Sequence, residues 1–265
     1  MTMPAQQPAG FEVIPGDPAS PVVLHVPHAS TEIPAWVREH LLLDDGALAT
    51  ELGRMTDART DVLALAAAGS VPVKPWLFVN RLSRLVVDPE RFPDEREEMN
   101  AVGMGAVYTR TSQRAPLRPD DPAHAAALID AYFHPYAAAL AALVDGRLAA
   151  TGGAVIVDVH SYPREPLPYE RHAGGPRPPI CLGSDERHTP AWLRAAAEDA
   201  FSGFERGWDS PFAGTYVPLA HYGVEPRVAS LMVEIRRDVY AVPAGEASVT
   251  EALGVLVAEA TERLP

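Results

Sequence analysis

Apolar residues recur along this chain in two alternating forms: short unbroken runs bounded by turn residues, and longer stretches rich in alanine and leucine. The runs Val22–Val26, Val71–Val73, Leu85–Val87, Ala154–Val157, Pro179–Leu182 and 229–235 predict strands. Short uninterrupted runs of this kind suit strands covered on both faces. The longer stretches predict helices: one opened by Pro34, one over 45–68 stopped by Gly69-Ser70, and one over 122–148 closed by Thr151-Gly152-Gly153. Two more cover 190–207 and 244–263. Strands alternating with helices define an α/β fold. The expected architecture is one three-layer domain over 1–265, with a mixed central sheet and helices on both faces.

Three segments break the pattern. Residues 1–20 form a Pro/Gly-rich lead-in, while 92–121 and 163–178 are polar, proline-rich excursions. Loops this long inside a compact domain tend to be lids or disordered segments. No internal repeat is visible.

Composition narrows the function. A chain of 265 residues can bury enough surface to fold without disulfides or a structural metal, so any metal here should serve chemistry. The formal net charge of −13 disfavours nucleic acid and anionic membrane as partners. It also means that an anionic substrate would need a local basic pocket. Cys181 is the only cysteine, and its apolar run points to an inert buried thiol. The N-terminus lacks a basic start and an apolar core segment, and no apolar run suggests a membrane span, so a cytoplasmic protein is expected.

Polar residues that a core would not want occur at the ends of three buried runs: His28 after Val22–Val26, Asp158 and His160 after Ala154–Val157, and Glu234 within 229–235. Ligands gather at the carboxyl ends of strands in open α/β sheets. Imidazole and carboxylate arriving there from separate strands suit zinc. A nucleophilic serine elbow is absent from the sequence.

Asp158-Val159-His160-Ser161-Tyr162 resembles the zinc-histidine strand of the metallocarboxypeptidase-like superfamily, and Met232-Val233-Glu234-Ile235-Arg236 resembles its catalytic-glutamate strand. Within that superfamily, Pro27-His28-Ala29-Ser30, Thr56-Asp57, Leu82-Ser83-Arg84, Asp88-Pro89-Glu90-Arg91 and His221-Tyr222-Gly223 follow the order of the N-formylglutamate amidohydrolases, over roughly residues 20 to 240. The resemblance implies a zinc carboxypeptidase-like, phosphorylase/hydrolase-like fold. It also implies Zn²⁺ held by His28, His160 and an acidic residue: Asp57, with Glu32 as competitor. Glu234 would be the general base, carrying a proton from the attacking water to the departing amine. Arg91 and Arg84 would receive a small carboxylate-bearing substrate, with Arg81 as an alternative, and His221 would bind substrate or stabilise the oxyanion. Two departures fall in substrate recognition: an acid, Glu90, stands where the family carries asparagine, and Ala220 replaces an arginine before His221. The implied reaction is hydrolysis of an N-formyl or other N-acyl amino acid. A carboxypeptidase acting on a small peptide or cell-wall fragment, and a non-catalytic binding protein, are the competing readings.

Overall fold

The computed structural model describes residues 10–171 and 174–264. Seven strands form one mixed sheet: β1 (Phe11–Ile14), β2 (Val22–Val26), β3 (Trp76–Asn80), β4 (Ala154–Tyr162), β5 (Ile180–Gly183), β6 (Arg206–Trp208) and β7 (Val228–Arg236), in the order β1-β3-β2-β4-β7-β5-β6. Neighbours β3, β2, β4 and β7 run parallel, so their carboxyl ends share one edge. The outer strands β1 and β5 pair antiparallel with β3 and β7.

Each face of the sheet is covered, which gives the three layers. On one face, alternate residues Val155, Val157 and Val159 of β4 and Leu231, Val233 and Ile235 of β7 pack against helices α3 (Thr60–Ser70), α6 (Ala191–Ala200) and α7 (Pro243–Arg263). On the other face, Val23, Phe78 and Ile156 meet Tyr136, Leu140 and Val144 of α5 (His134–Thr151). This helix continues α4 (Pro122–Leu128) through a π turn at Ile129–Phe133. The combined helix Pro122–Thr151 is long and apolar enough to cross a membrane by length and composition alone, a test that core helices also pass. Its hydropathy comes largely from alanines; Tyr136, Leu140, Val144 and Leu148 lie on the sheet, while Leu128 and Phe133 pack with Val37, Val86 and Val87.

Several elements differ from expectation for local reasons. The helix opened by Pro34 is a single turn, α1 (Ala35–Arg38), and the helix over 45–68 is two helices, α2 (Asp45–Met55) and α3, separated where the Asp57 N–H leaves the helical ladder and donates to His28 O at 2.9 Å. Arg59 then adopts a left-handed φ of 67° to start α3. The run Val71–Val73 is not a strand; prolines at 72 and 75 cannot donate to a ladder, and pairing begins at Trp76. Leu85–Val87 is a buried turn, with the Ser83 hydroxyl accepting from Leu85 N–H and Ser83 O from Val86 N–H. The predicted helix 190–207 ends at Ala200, because residues 206–208 join the sheet. The lead-in hides β1, and residues 1–9 lie outside the described part. The excursion 92–121 carries a 3₁₀ turn, Glu98–Val102, and packs Met99, Met104, Tyr108 and Leu117 against Leu41, Leu48, Met55 and Leu85 in a satellite core.

Candidate metal centre and its cavity

The site grows out of a change along one face of the sheet. On the face that meets α5, β4 begins with Ala154 and Ile156 and continues with Asp158 and His160. In the same way β7 passes from Val228 through Ser230 and Met232 to Glu234. On their other face β7 stays apolar from Ala229 to Ile235, and β4 from Val155 to Val159. Direct pairing of β4 and β7 sets His160 opposite Glu234 at the carboxyl edge. His28 follows β2 at that edge, and the backbone bond between Asp57 and His28 brings in the third group.

His28, Asp57 and His160 are all buried and converge. The two Nδ1 atoms lie 3.3 Å apart, and Asp57 Oδ2 lies 3.2 Å from His160 Nδ1 and 3.6 Å from His28 Nδ1. Ligands at about 2.0–2.2 Å around a tetrahedral zinc are separated by roughly 3.3–3.6 Å, so this donor set fits the ion. The opposite ring nitrogens face other carboxylates. His28 Nε2 is 2.9 Å from Asp88 Oδ1, which turns Nδ1 toward the cluster. His160 Nε2 lies 3.1 Å from Asp158 Oδ2 and 3.3 Å from Glu90 Oε2, both off the line of a hydrogen bond.

Charge follows geometry. Burial alone would lower His28, but Asp88 and Asp57 outweigh both burial and Arg84 and hold its pKa above the ordinary value. His160 is likewise raised, with Asp158 and Glu90 overcoming its desolvation. Burial pushes the Glu234 carboxyl up to about 7, and Asp57 adds to that push while His160 and Arg84 oppose it. Glu234 Oε2 is buried without a hydrogen-bond partner. Burial also pushes the Cys181 thiol up to about 11, in keeping with an inert residue.

A cavity of about 480 Å³ opens onto the cluster and contains Glu234, Arg84 and Arg91 in its lining. Arg84 is already engaged, donating to Asp88 Oδ2 at 2.7 Å and to the Tyr108 hydroxyl at 3.0 Å. Arg91 is freer: its Nε stands 3.6 Å from Asp88 and makes no hydrogen bond. Glu90 turns its carboxylate toward the histidines, with Oε2 also 3.7 Å from His28 Nε2. The acid next to Arg91 in sequence thus points into the imidazole cluster.

Other expected residues lie elsewhere. Glu32 is exposed and is absent from the cavity lining. Arg81 pairs on the surface with Glu12 and Asp61. His221 is buried, but its Nε2 bonds Asp145 of α5 at 2.8 Å; Tyr222 and Leu219 from the same turn line the cavity instead. Three groups near the centre were given no site role in the sequence reading. His25 bonds Asp158 at 2.8 Å and the Tyr136 hydroxyl at 2.5 Å, and its signal was a histidine inside a wholly buried run. Asp88 joins His28 to Arg84. Arg237, beside Asp57, gave no signal that separates it from Arg236.

A mixed, doubly covered sheet with a buried His–His–carboxylate group at its carboxyl edge defines an α/β protein with a metal-capable pocket. The chain belongs to the N-formylglutamate amidohydrolase family, whose model matches residues 20–241, and it is a hydrolase of that family. Its fold is that of an N-formylglutamate amidohydrolase from Ralstonia eutropha JMP134, at a TM-score of 0.80 and 23% identity over 97% of this chain and 98% of that one. A gene product from Agrobacterium tumefaciens is also similar, at a TM-score of 0.71 and 21% identity over 96% of this chain and 95% of that one. At such identities the likeness is one of fold. Comparison with curated proteins returned no match.

Proposed function

We propose that this protein is a zinc-dependent amidohydrolase that cleaves the amide bond of an N-formyl or other N-acyl amino acid, with N-formylglutamate as the type of substrate. The observation that carries this reading is the convergence of His28 Nδ1, His160 Nδ1 and Asp57 Oδ2 at zinc-like separations beside Glu234. These three residues would hold the metal, which when bound lowers the pKa of water to about 7 and polarises the scissile carbonyl.

Glu234 takes a proton from the attacking water as oxygen bonds to the acyl carbon. It then delivers that proton to the nitrogen as the C–N bond breaks, so formate (or another acid) and a free amino acid leave. A carboxyl raised to about 7 is matched to both halves of that transfer near neutral pH. Its unpartnered Oε2 in the wall of the cavity suits a group that awaits a proton. Arg91 receives the substrate carboxylate, since a planar guanidinium binds carboxylate bidentately and its Nε makes no hydrogen bond. Arg84, tied to Asp88, keeps His28 aligned and adds positive potential where the oxyanion develops. Arg54, Arg171 and Arg237 also line the cavity, but Arg171 is paired with Glu98 and Arg237 with Asp57, so Arg91 is the cation best placed to receive an anion.

The test is to supply the zinc-loaded protein with N-formyl-L-glutamate and, separately, with short peptides, and to measure formate and free amino acid. Formate release without peptide cleavage is expected. Peptide cleavage without formate would transfer the site to carboxypeptidase chemistry, and neither product would overturn the hydrolytic reading.

A further inference from the structure

Arg237 follows the last residue of β7, lines the cavity and takes no part in the proton transfers above. Its guanidinium reaches back across the carboxyl edge and meets three different elements. Nη1 donates to Arg54 O at 2.8 Å and Gly53 O at 3.3 Å, carbonyls at the end of α2, where the helix dipole favours a cation. Nε lies 3.3 Å from Ser161 Oγ, next to His160. Nη2 lies 3.4 Å from Asp57 Oδ1. Three residues further on, the Tyr240 hydroxyl donates to Ala58 O at 2.8 Å, so the chain after β7 holds the α2–α3 break at two points.

The two oxygens of Asp57 therefore face different partners. Oδ2 points to both histidine Nδ1 atoms, while Oδ1 points to Arg237. A carboxylate with nothing on Oδ1 can turn about its terminal torsion, which is broad and soft. A donor there fixes which oxygen the histidines see. Arginine suits the task because it stays charged at any working pH, so it offsets the aspartate charge without competing for its proton. Its fork also allows one side chain to hold Asp57 and the α2 carbonyls at once.

We propose that Arg237 is a positioning residue for the metal centre: it fixes the Asp57 carboxylate so that Oδ2 is presented beside His28 and His160. The inference rests on Asp57 being a metal ligand. Groups that orient ligands in this way typically contribute roughly 10–100-fold to metal affinity.

The test uses chelator competition to measure zinc affinity of the full chain for wild type, Arg237→Met, Arg237→Lys, Asp57→Asn and the Asp57→Asn/Arg237→Met pair. The kcat and KM of the single Arg237 variants are measured at saturating zinc. Arg237→Met should weaken zinc binding by roughly 10–100-fold, with Arg237→Lys recovering part of the loss and KM little changed. In the Asp57→Asn background the second substitution should add little. Unchanged zinc affinity with a raised KM would make Arg237 a substrate receptor and overturn the inference. A lower melting temperature with unchanged zinc affinity would overturn it too, leaving only a clamp on α2. If Asp57→Asn itself keeps full zinc affinity, the ligand assignment falls and the inference with it. Loss in Asp57→Asn without loss in Arg237→Met sinks the inference alone.

Discussion

Glu234 is buried with one carboxylate oxygen unpartnered, a costly arrangement that a purely structural residue would not retain. Replacing it with glutamine keeps the shape and removes the capacity to accept a proton. Glu234→Gln should therefore keep its zinc content and fold while kcat drops by roughly 10²–10⁴-fold, the usual worth of general-base catalysis. A variant that retains turnover would return Glu234 to a structural role. Asp57 and Glu32 compete for the third ligand position, and burial separates them: Asp57 lies inside the cluster, Glu32 in solvent. Zinc per chain should fall sharply in Asp57→Ala and stay unchanged in Glu32→Ala; the opposite pattern would reverse the assignment. His28, His160 and Glu234 were legible in the sequence because a polar residue at the end of a buried apolar run demands compensation. His221 and Arg237 were not. Which way a turn histidine points, or which of two adjacent arginines folds inward, depends on partners distant in sequence, here Asp145 and Asp57.

Strands β4 and β7 carry both the core and the site, divided by face. Leu231 is fully buried among the α3, α6 and α7 side chains, on the face away from Glu234. Leu231→Ala should cost about 2–5 kcal/mol through lost burial and a residual cavity, measured by denaturant unfolding, with zinc binding retained in the folded fraction. Leu65 of α3 is 54% exposed, so Leu65→Ala should shift stability by no more than about 0.5 kcal/mol. Equal losses in the two variants would contradict this division. Strand and helix alternation was plain from periodicity, and so was α/β class. The runs 71–73 and 85–87 misled because a short apolar segment shows burial, not hydrogen bonding: Val71 and Leu85–Val87 are buried, yet none of these residues joins the sheet. The break between α2 and α3 was hidden as well. No proline or glycine marks Thr56–Arg59, and the cause is a backbone bond to His28 from another element.

At the scale of the whole molecule, the two apolar layers close around the sheet without help from the cluster, which sits at one edge. Metal is thus proposed for chemistry and not for folding, and the two can be separated. Stripping zinc with a chelator should leave the far-ultraviolet circular dichroism unchanged. The melting temperature should fall, because an ion that binds only the folded state contributes about 2.7 kcal/mol at a hundred times its Kd. The chain is acidic overall, with a formal charge of −13, and carboxylates line the cavity beside its arginines, so recognition of an anion falls to an individual arginine, Arg91, and not to the net charge of the pocket. The decisive measurement is formate release from N-formyl-L-glutamate by one preparation before chelation, after it, and after titration with zinc. Turnover should vanish in the stripped, folded protein and return in full at one equivalent of zinc per chain. Undiminished turnover in the stripped protein would contradict the account.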